Sequence, residues 1–211
     1  KSEVMDKKIV CISVCLLMIS CMGGNTGNNS NTDSTGSVSP ELSEISSMQD
    51  MELTYPGSDI SFQVKVTGDS LYIIPSGLTV VNDTLRHDIT GYSFVNAEIG
   101  DLNIDSYPEI FVYLSSEGSG SYGKLIGYST NNGKSVSQVY LPEISENEEI
   151  NEGYMGHDEM AIVESTFCQR FPVYKEGDSN AQPTGGMRQI QYKLVDGEAG
   201  RMLAVDKVEE F

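Results

Sequence analysis

Oxygen-bearing side chains alternate along residues 101–109, which read DLNIDSYPE. Asp101, Asn103 and Asp105 offer the carboxylate and amide oxygens that hard cations such as calcium prefer. An EF-hand loop would also have glycine in its middle and glutamate at the position of Val112, and this stretch has neither. The other interpretation is an Asx-rich turn whose side-chain oxygens accept hydrogen bonds from backbone amides. The pattern favours this turn and leaves a calcium site as the alternative.

A histidine stands beside two carboxylates at His157-Asp158-Glu159, after the glycine-punctuated run GYMG. An acid–base pair could be built from these groups. Neighbours on an extended chain point to opposite faces, however, so a hydrogen-bonded structural histidine is the favoured interpretation. His87 is too distant in sequence for any metal-ligand spacing. Since the chain also has no phosphate-binding loop, nucleophile elbow or CxxC pair, we predict that it is not an enzyme and has no cofactor beyond the possible calcium.

A turn-rich segment, SSEGSGSYG, occupies residues 115–123. Its three glycines permit tight backbone conformations, and Ser119, Ser121 and Tyr122 place hydroxyl groups at its tip. Hydroxyls can donate to carboxylates, and tyrosine supplies rigid contact area, so the segment could insert into a cleft of another protein. Composition alone favours the alternative, a flexible hairpin connection.

Short β-like runs separated by turn signals must position these residues. Ile60–Val66 alternates apolar and polar side chains, which predicts a strand with one buried face. Ile110–Leu114 is apolar on both faces, which predicts a central strand between two layers. We expect further strands at 71–74, 78–81, 92–99, 125–129, 136–141, 160–174 (two, or one bent), 190–195 and 202–208. The predicted fold is an all-β antiparallel sandwich of two sheets with about eight or nine strands.

The first fifty residues have the organisation of an exported protein. Lys7 and Lys8 precede a mostly apolar stretch, 9–20, which is too short to span a bilayer and is typical of a signal peptide. The ending LLMISC resembles a bacterial lipobox, which implies cleavage before Cys21 and lipidation of its side chain. The residues after Cys21 are almost free of apolar side chains and predict a solvated tether. We therefore predict a signal peptide at 1–20, a lipidated tether at 21–50 and one domain at 51–211, anchored in the bacterial cell envelope and facing the periplasm or the cell surface.

Charge excludes one class of partner. The 211 residues include 31 Asp and Glu against 13 Lys and Arg, a formal net charge of −18. A chain this acidic repels phosphate backbones, so a nucleic acid is not an expected partner.

Several separated segments, in the same order, resemble the periplasmic inhibitors of invertebrate-type lysozyme. The hallmark of that family is a Ser-Gly-Ser-Tyr loop, which matches Ser119–Tyr122. The resemblance extends from about Leu53 to Phe211 and includes DLNID with PEI, GYMGHDE, FPVYKEGD, PTGG, RQIQYKL and GEAG.

The resemblance implies a two-sheet antiparallel β-sandwich that inhibits a lysozyme. The lipobox, which predicts membrane attachment through Cys21, is a departure from a freely soluble periplasmic inhibitor. Ser119 and Tyr122 match the positions that the family presents to the catalytic groups of the enzyme, and Gly120 and Ser121 shape the tip. Inhibition would be occlusion of the active-site cleft, and the acidic body would attract a basic lysozyme. The alternative is a cell-envelope module that has kept the fold and binds calcium or glycan instead.

Overall fold

A computed structural model describes residues 49–198 and 200–211, which form an all-β structure of two sheets. The predicted signal peptide, the lipidation site Cys21 and almost all of the predicted tether lie outside the described residues. Within the described ranges, no helix is long and apolar enough to cross a membrane.

The first sheet has four antiparallel strands in sequence order. They are β1 (Gln49–Thr54), β2 (Ser61–Thr67), β3 (Ser70–Ser76) and β4 (Leu85–Asp88). Burial alternates along β2 and β3, as expected for strands that cover a core with one face.

The second sheet has eight strands in the order β5-β6-β7-β8-β12-β11-β10-β9. The strands are β5 (Tyr92–Gly100), β6 (Glu109–Ser116), β7 (Gly123–Thr130), β8 (Val136–Tyr140), β9 (Glu159–Val163), β10 (Thr166–Pro172), β11 (Met187–Asp196) and β12 (Arg201–Glu210). A short 3₁₀ helix, Ile144–Glu146, follows β8. All pairings are antiparallel except β8 with β12, which is parallel.

The eight-stranded sheet curls into a nearly closed barrel because its two edge strands approach each other. The carboxylate of Glu98 on β5 accepts a hydrogen bond from the backbone N–H of Ile162 on β9 at 2.8 Å. The same oxygen accepts a bond from the hydroxyl of Tyr113 at 2.6 Å. The Glu98 side chain therefore links the edge strands β5 and β9 to Tyr113 in the barrel interior.

Strand β6 contributes to two hydrophobic cores. Ile110 and Val112 pack between the two sheets, together with Phe62 of β2. Phe111 and Tyr113, on the opposite face of β6, pack inside the barrel. The prediction of a central strand buried on both faces is therefore confirmed.

The all-β prediction is confirmed, but the simple sandwich of eight or nine strands is wrong. The described residues form twelve strands in two sheets, and one of these sheets is curled into a barrel with a parallel pair. The strand expected at 78–81 is instead a loop. The backbone N–H groups of Thr79, Val80 and Val81 donate to the carbonyls of Gly133 and Lys134, so this loop is tied to the β7–β8 turn. Strands β1 and β4 were not anticipated.

A buried carboxylate, that of Glu109, links the 101–109 turn to the barrel wall. Its side chain is fully buried. It accepts hydrogen bonds from the N–H of Leu102 and the hydroxyl of Ser129, both at 2.8 Å. The guanidinium of Arg201 lies 3.5 Å from it and pairs at 3.0 Å with Asp105. Burial raises the pKa of Glu109 to about 7.

We predict that Glu109 makes the protein less stable as pH rises. Its pKa is near 4.5 in the unfolded chain and about 7 in the folded state, so the folded state binds an extra proton between these values. This stabilising contribution is complete below pH 4.5 and lost as pH rises through 7. Between pH 5 and pH 8 the free energy of unfolding should fall by up to about 3 kcal/mol more in the wild type than in Glu109→Gln. Urea unfolding of both proteins tests this, and parallel pH profiles would contradict it.

Candidate functional site

The loop between β6 and β7, residues 117–122, is a closed turn. The backbone N–H of Ser116 donates to the carbonyl of Tyr122 at 2.9 Å, and the N–H of Tyr122 donates to the hydroxyl of Ser116 at 2.8 Å. Inside the turn, Ser121 has a φ of 44° and donates its N–H to Gly118 at 3.0 Å. The segment is therefore a shaped hairpin tip with defined internal bonds.

Two distant segments bind the backbone of this tip. The N–H of His157 donates to the carbonyl of Gly120 at 2.6 Å, and the side-chain amide of Asn180 donates to the carbonyl of Ser119 at 2.7 Å. Gly156 permits the first contact, since a Cβ atom at this position would lie 2.2 Å from the Gly120 oxygen. The tip is thus supported through its carbonyls, which leaves its side chains available.

The side chains of His157 and Asp158 have different partners, so the geometry does not join them as an acid–base pair. The imidazole Nε2 of His157 lies 3.2 Å from the Asn180 side-chain oxygen, and its ring stacks on Tyr174. The hydroxyl of Tyr174 donates to the Asn180 carbonyl at 2.9 Å. His157 therefore has the hydrogen-bonded, packed environment of a structural histidine. His87 lies elsewhere, on β4, with its Nε2 2.9 Å from the hydroxyl of Tyr128.

Asp158 lies beneath the base of the tip and accepts three hydrogen bonds. Its donors are the N–H of Gly123 at 2.8 Å, the hydroxyl of Tyr154 at 2.7 Å and the side-chain amide of Gln169 at 2.8 Å. Burial raises the pKa of this carboxyl, while the three hydrogen bonds oppose that rise by favouring the charged form. The Gln169 oxygen in turn accepts from the Tyr192 hydroxyl at 3.2 Å, which extends the network into the barrel core.

Aromatic contacts complete the support. The ring of Tyr154 meets the ring of Tyr122 edge-on at 5.7 Å between centroids, and it meets Phe171 edge-on at 4.6 Å. Tyr122 is nevertheless 46% exposed, and Ser119 is exposed. Met155, in the segment 153–158 that supports the tip, is 41% exposed. The site therefore presents hydroxyl donors and apolar area from a supported backbone, which is chemistry for binding a protein surface.

Glu117 is exposed at the start of the tip, and its N–H donates to the Gly91 carbonyl at 3.0 Å. The ammonium of Lys124 lies over the ring of Tyr92, 4.6 Å from its centroid. Lys124 is therefore directed towards this aromatic ring on β5.

The oxygens of Asp101, Asn103 and Asp105 form an Asx-rich turn. Asp101 accepts the backbone N–H groups of Asp105 and Ser106 at 3.0 and 2.9 Å, and Asp105 accepts that of Tyr107 at 2.9 Å. The amide of Asn103 donates to Asp105 at 2.8 Å. Among the residues described by the structure, no group of three or more His, Cys, Asp or Glu is placed to hold a metal ion. Calcium binding stays a prediction that this geometry does not favour.

Sequence reasoning missed the groups that support the tip. It included Asp158 only as part of a catalytic pair, and it gave no role to Asn180 or Gln169. Asn180 carried no local signal, because its contact with Ser119 spans 61 positions. Comparisons of the chain with protein-family models, with curated proteins and with solved structures found no match.

We predict that Gly156→Ala displaces the tip, whereas Gly177→Ala does not. Both glycines have positive φ, 84° and 90°, so alanine strains the backbone similarly at each, by about 1 kcal/mol. At Gly177 the added Cβ meets nothing within 4 Å, but at Gly156 it collides with the Gly120 oxygen. Gly156→Ala should therefore lose protection of the His157 amide against hydrogen exchange and be the less stable variant. Equal exchange rates and equal stability in the two variants would contradict the proposed contact.

Proposed function

We propose that this chain is a proteinaceous inhibitor of a lysozyme, most closely suited to the invertebrate type, and that it acts by occlusion. The observation that carries this proposal is a hairpin tip whose backbone is bound on both sides while Ser119 and Tyr122 remain exposed. The resemblance of Ser119–Tyr122 to the inhibitory loop of the lysozyme-inhibitor family supplies the identity of the partner.

The chemistry of the tip suits a glycosidase cleft. A lysozyme cleaves sugar with two carboxyl groups that face each other across the cleft. The hydroxyls of Ser119 and Tyr122 can donate hydrogen bonds to those groups without bringing charge into the site. Because contacts to Gly120 and Ser119 already order the backbone, less conformational entropy is lost on binding.

Charge favours a basic partner. The chain has a formal net charge of −18, and exposed glutamates are concentrated in the segment 143–152, which directly precedes the supporting segment 153–158. These residues are Glu143, Glu146, Glu148, Glu149 and Glu152. A basic lysozyme would be attracted over distances comparable to the Debye length, so its association rate should fall as salt rises.

The location of the inhibitor follows from the sequence. A signal peptide at 1–20 and a lipidated Cys21 would place the domain in the cell envelope, either in the periplasm or on the surface. A tethered inhibitor would protect the peptidoglycan close to its own membrane, and several acyl chains would make the attachment durable.

We predict that the purified chain inhibits lysis of a peptidoglycan suspension by an invertebrate-type lysozyme. Tyr122→Ala should weaken this inhibition at least about tenfold, since a central tyrosine is a typical hot spot of a protein interface. Ser119→Ala should weaken it about three- to tenfold through the loss of one hydrogen bond. This variant retains the backbone carbonyl of residue 119, which accepts a hydrogen bond from the side-chain amide of Asn180. Turbidity loss with and without the inhibitor provides the measurement.

The matched control is Tyr72→Ala, because Tyr72 is a partly exposed tyrosine on β3 of the other sheet. It should inhibit like the wild type. A chicken-type lysozyme added to the same assay tests selectivity. If the wild type inhibits neither enzyme, or if Tyr72→Ala and Tyr122→Ala lose the same potency, the proposal is wrong.

We predict that Glu117→Ala leaves the dissociation constant for the lysozyme unchanged or lowers it. Glu117 is exposed at the start of the tip, and inside the cleft its carboxylate would face the carboxyl groups of the enzyme. Glu117→Ala should therefore remove no favourable contact with the enzyme. Surface-binding measurements at low and high salt check this, and a loss of affinity greater than about threefold at both salt concentrations would show that Glu117 contacts the partner favourably.

A further inference from the structure

A cleft of about 340 Å³ opens in the barrel wall beside the tip. Gly123, which directly follows Tyr122, lines this cleft at the part of β7 that extends beyond the end of β8. Leu125, Leu141 and Ile144 contribute apolar surface, and these residues also belong to the hydrophobic core of the barrel or pack against it. The cleft is therefore a continuation of the candidate site into the barrel mouth.

Carboxylates lie at the rim of this cleft and behind its wall. Glu143 is exposed at the rim, at the start of the glutamate-rich segment 143–152. Tyr154 and Gln169 line the inner wall, and both donate hydrogen bonds to the carboxylate of Asp158 behind them. Lys124 also lines the cleft, but its ammonium lies over Tyr92. Glu143 and Asp158 thus outnumber Lys124 among the charged groups at the cleft, and the other exposed glutamates of the segment 143–152 follow Glu143 directly.

An arginine or lysine side chain matches this combination. Such side chains place an apolar stem along hydrophobic surface and keep a cationic head beside polar or charged groups. Tyr140 is 55% exposed at the rim and offers an aromatic ring for the head or the stem. The apolar lining, the exposed ring of Tyr140, the carboxylate of Glu143 and that of Asp158 behind the wall together favour a cationic side chain over a neutral or an anionic one.

We propose that this cleft receives an arginine or lysine side chain from the surface of the same protein that receives the Ser119–Tyr122 tip. The inference rests on the proposed function for the source of that side chain. It adds a second anchor, adjacent to the first because Tyr154 contacts Tyr122 on one side and lines the cleft on the other. The partner would then be selected by a basic residue near its own cleft as well as by its catalytic carboxyl groups.

The chemistry of the cleft can be tested without any lysozyme. The isotope-labelled chain is titrated with N-acetyl-arginine amide and, as a matched neutral probe, with N-acetyl-citrulline amide, which has nearly the same shape. We expect saturable amide shifts at Leu125 and Ile144 in the millimolar range with arginine, and binding at least about fivefold weaker with citrulline. Glu143→Gln should reduce arginine binding towards the citrulline level. Glu52→Gln, which makes the same change at an exposed site on β1, should leave it unchanged.

Inhibition of an invertebrate-type lysozyme tests the source of the side chain. Glu143→Gln and Tyr140→Ala should each weaken inhibition about three- to tenfold, while Glu52→Gln stays within twofold of the wild type. Absence of saturable shifts at the cleft, or equal binding of both probes, overturns the cationic cleft. Specific arginine binding with undiminished inhibition by Glu143→Gln overturns the assignment to this partner. If the wild type inhibits no lysozyme, the proposed function and this assignment fail together, and the arginine titration still decides the chemistry of the cleft.

Discussion

The half-buried carboxylate of Asp158 is the interaction on which the candidate site depends. A carboxylate that is partly removed from water needs hydrogen-bond donors in place of the lost hydration, so the donors around it must stay in place. Those donors are the N–H of Gly123 at the base of the tip, the hydroxyl of Tyr154 and the amide of Gln169. Tyr154 in turn packs against Tyr122. The position of the exposed tyrosine is therefore set by the interior of the barrel and only partly by the sequence of its own loop.

Closure of the barrel brings the segment that carries Asp158 next to the tip. Glu98 joins the edge strands β5 and β9, so the end of β6 and the start of β9 meet at one rim. The tip 117–122 and the supporting segment 153–158 come together there although thirty residues separate them. The acidic segment 143–152 is also anchored, because the guanidinium of Arg188 on β11 donates to the carbonyls of Ile150 and Glu152 at 2.7 and 2.8 Å. The fold thus combines a shaped tip, its support and a charged surface at one end of the barrel.

Local sequence patterns predicted many of the strands but not which strands pair with each other. The apolar alternation of Ile60–Val66 and the continuous run Ile110–Leu114 report burial directly, and both strands are present. The run 78–81 has similar composition, yet its N–H groups bond to the β7–β8 turn, which no local pattern encodes. The parallel contact of β8 with β12 involves few residues and spans more than sixty positions, so the barrel could not be predicted. Glycines and hydroxyls identified the tip, whereas the role of Asn180 depends on tertiary structure.

In this protein, different groups would provide long-range attraction to a partner and close contact with it. Long-range attraction needs only a large net charge, and the exposed glutamates of 143–152 can supply it from beside the contact surface. Close contact has a different requirement, because each charged group buried at an interface must lose its hydration, and a carboxylate entering a site with two carboxyl groups would also be repelled. The hydroxyls of Ser119 and Tyr122 avoid both costs, since neutral donors are cheaper to desolvate and bond well to carboxylates. In the proposed function, the uncharged segment Ser119–Tyr122 on an acidic body would therefore allow fast association with a basic enzyme and still fit a cleft that repels anions.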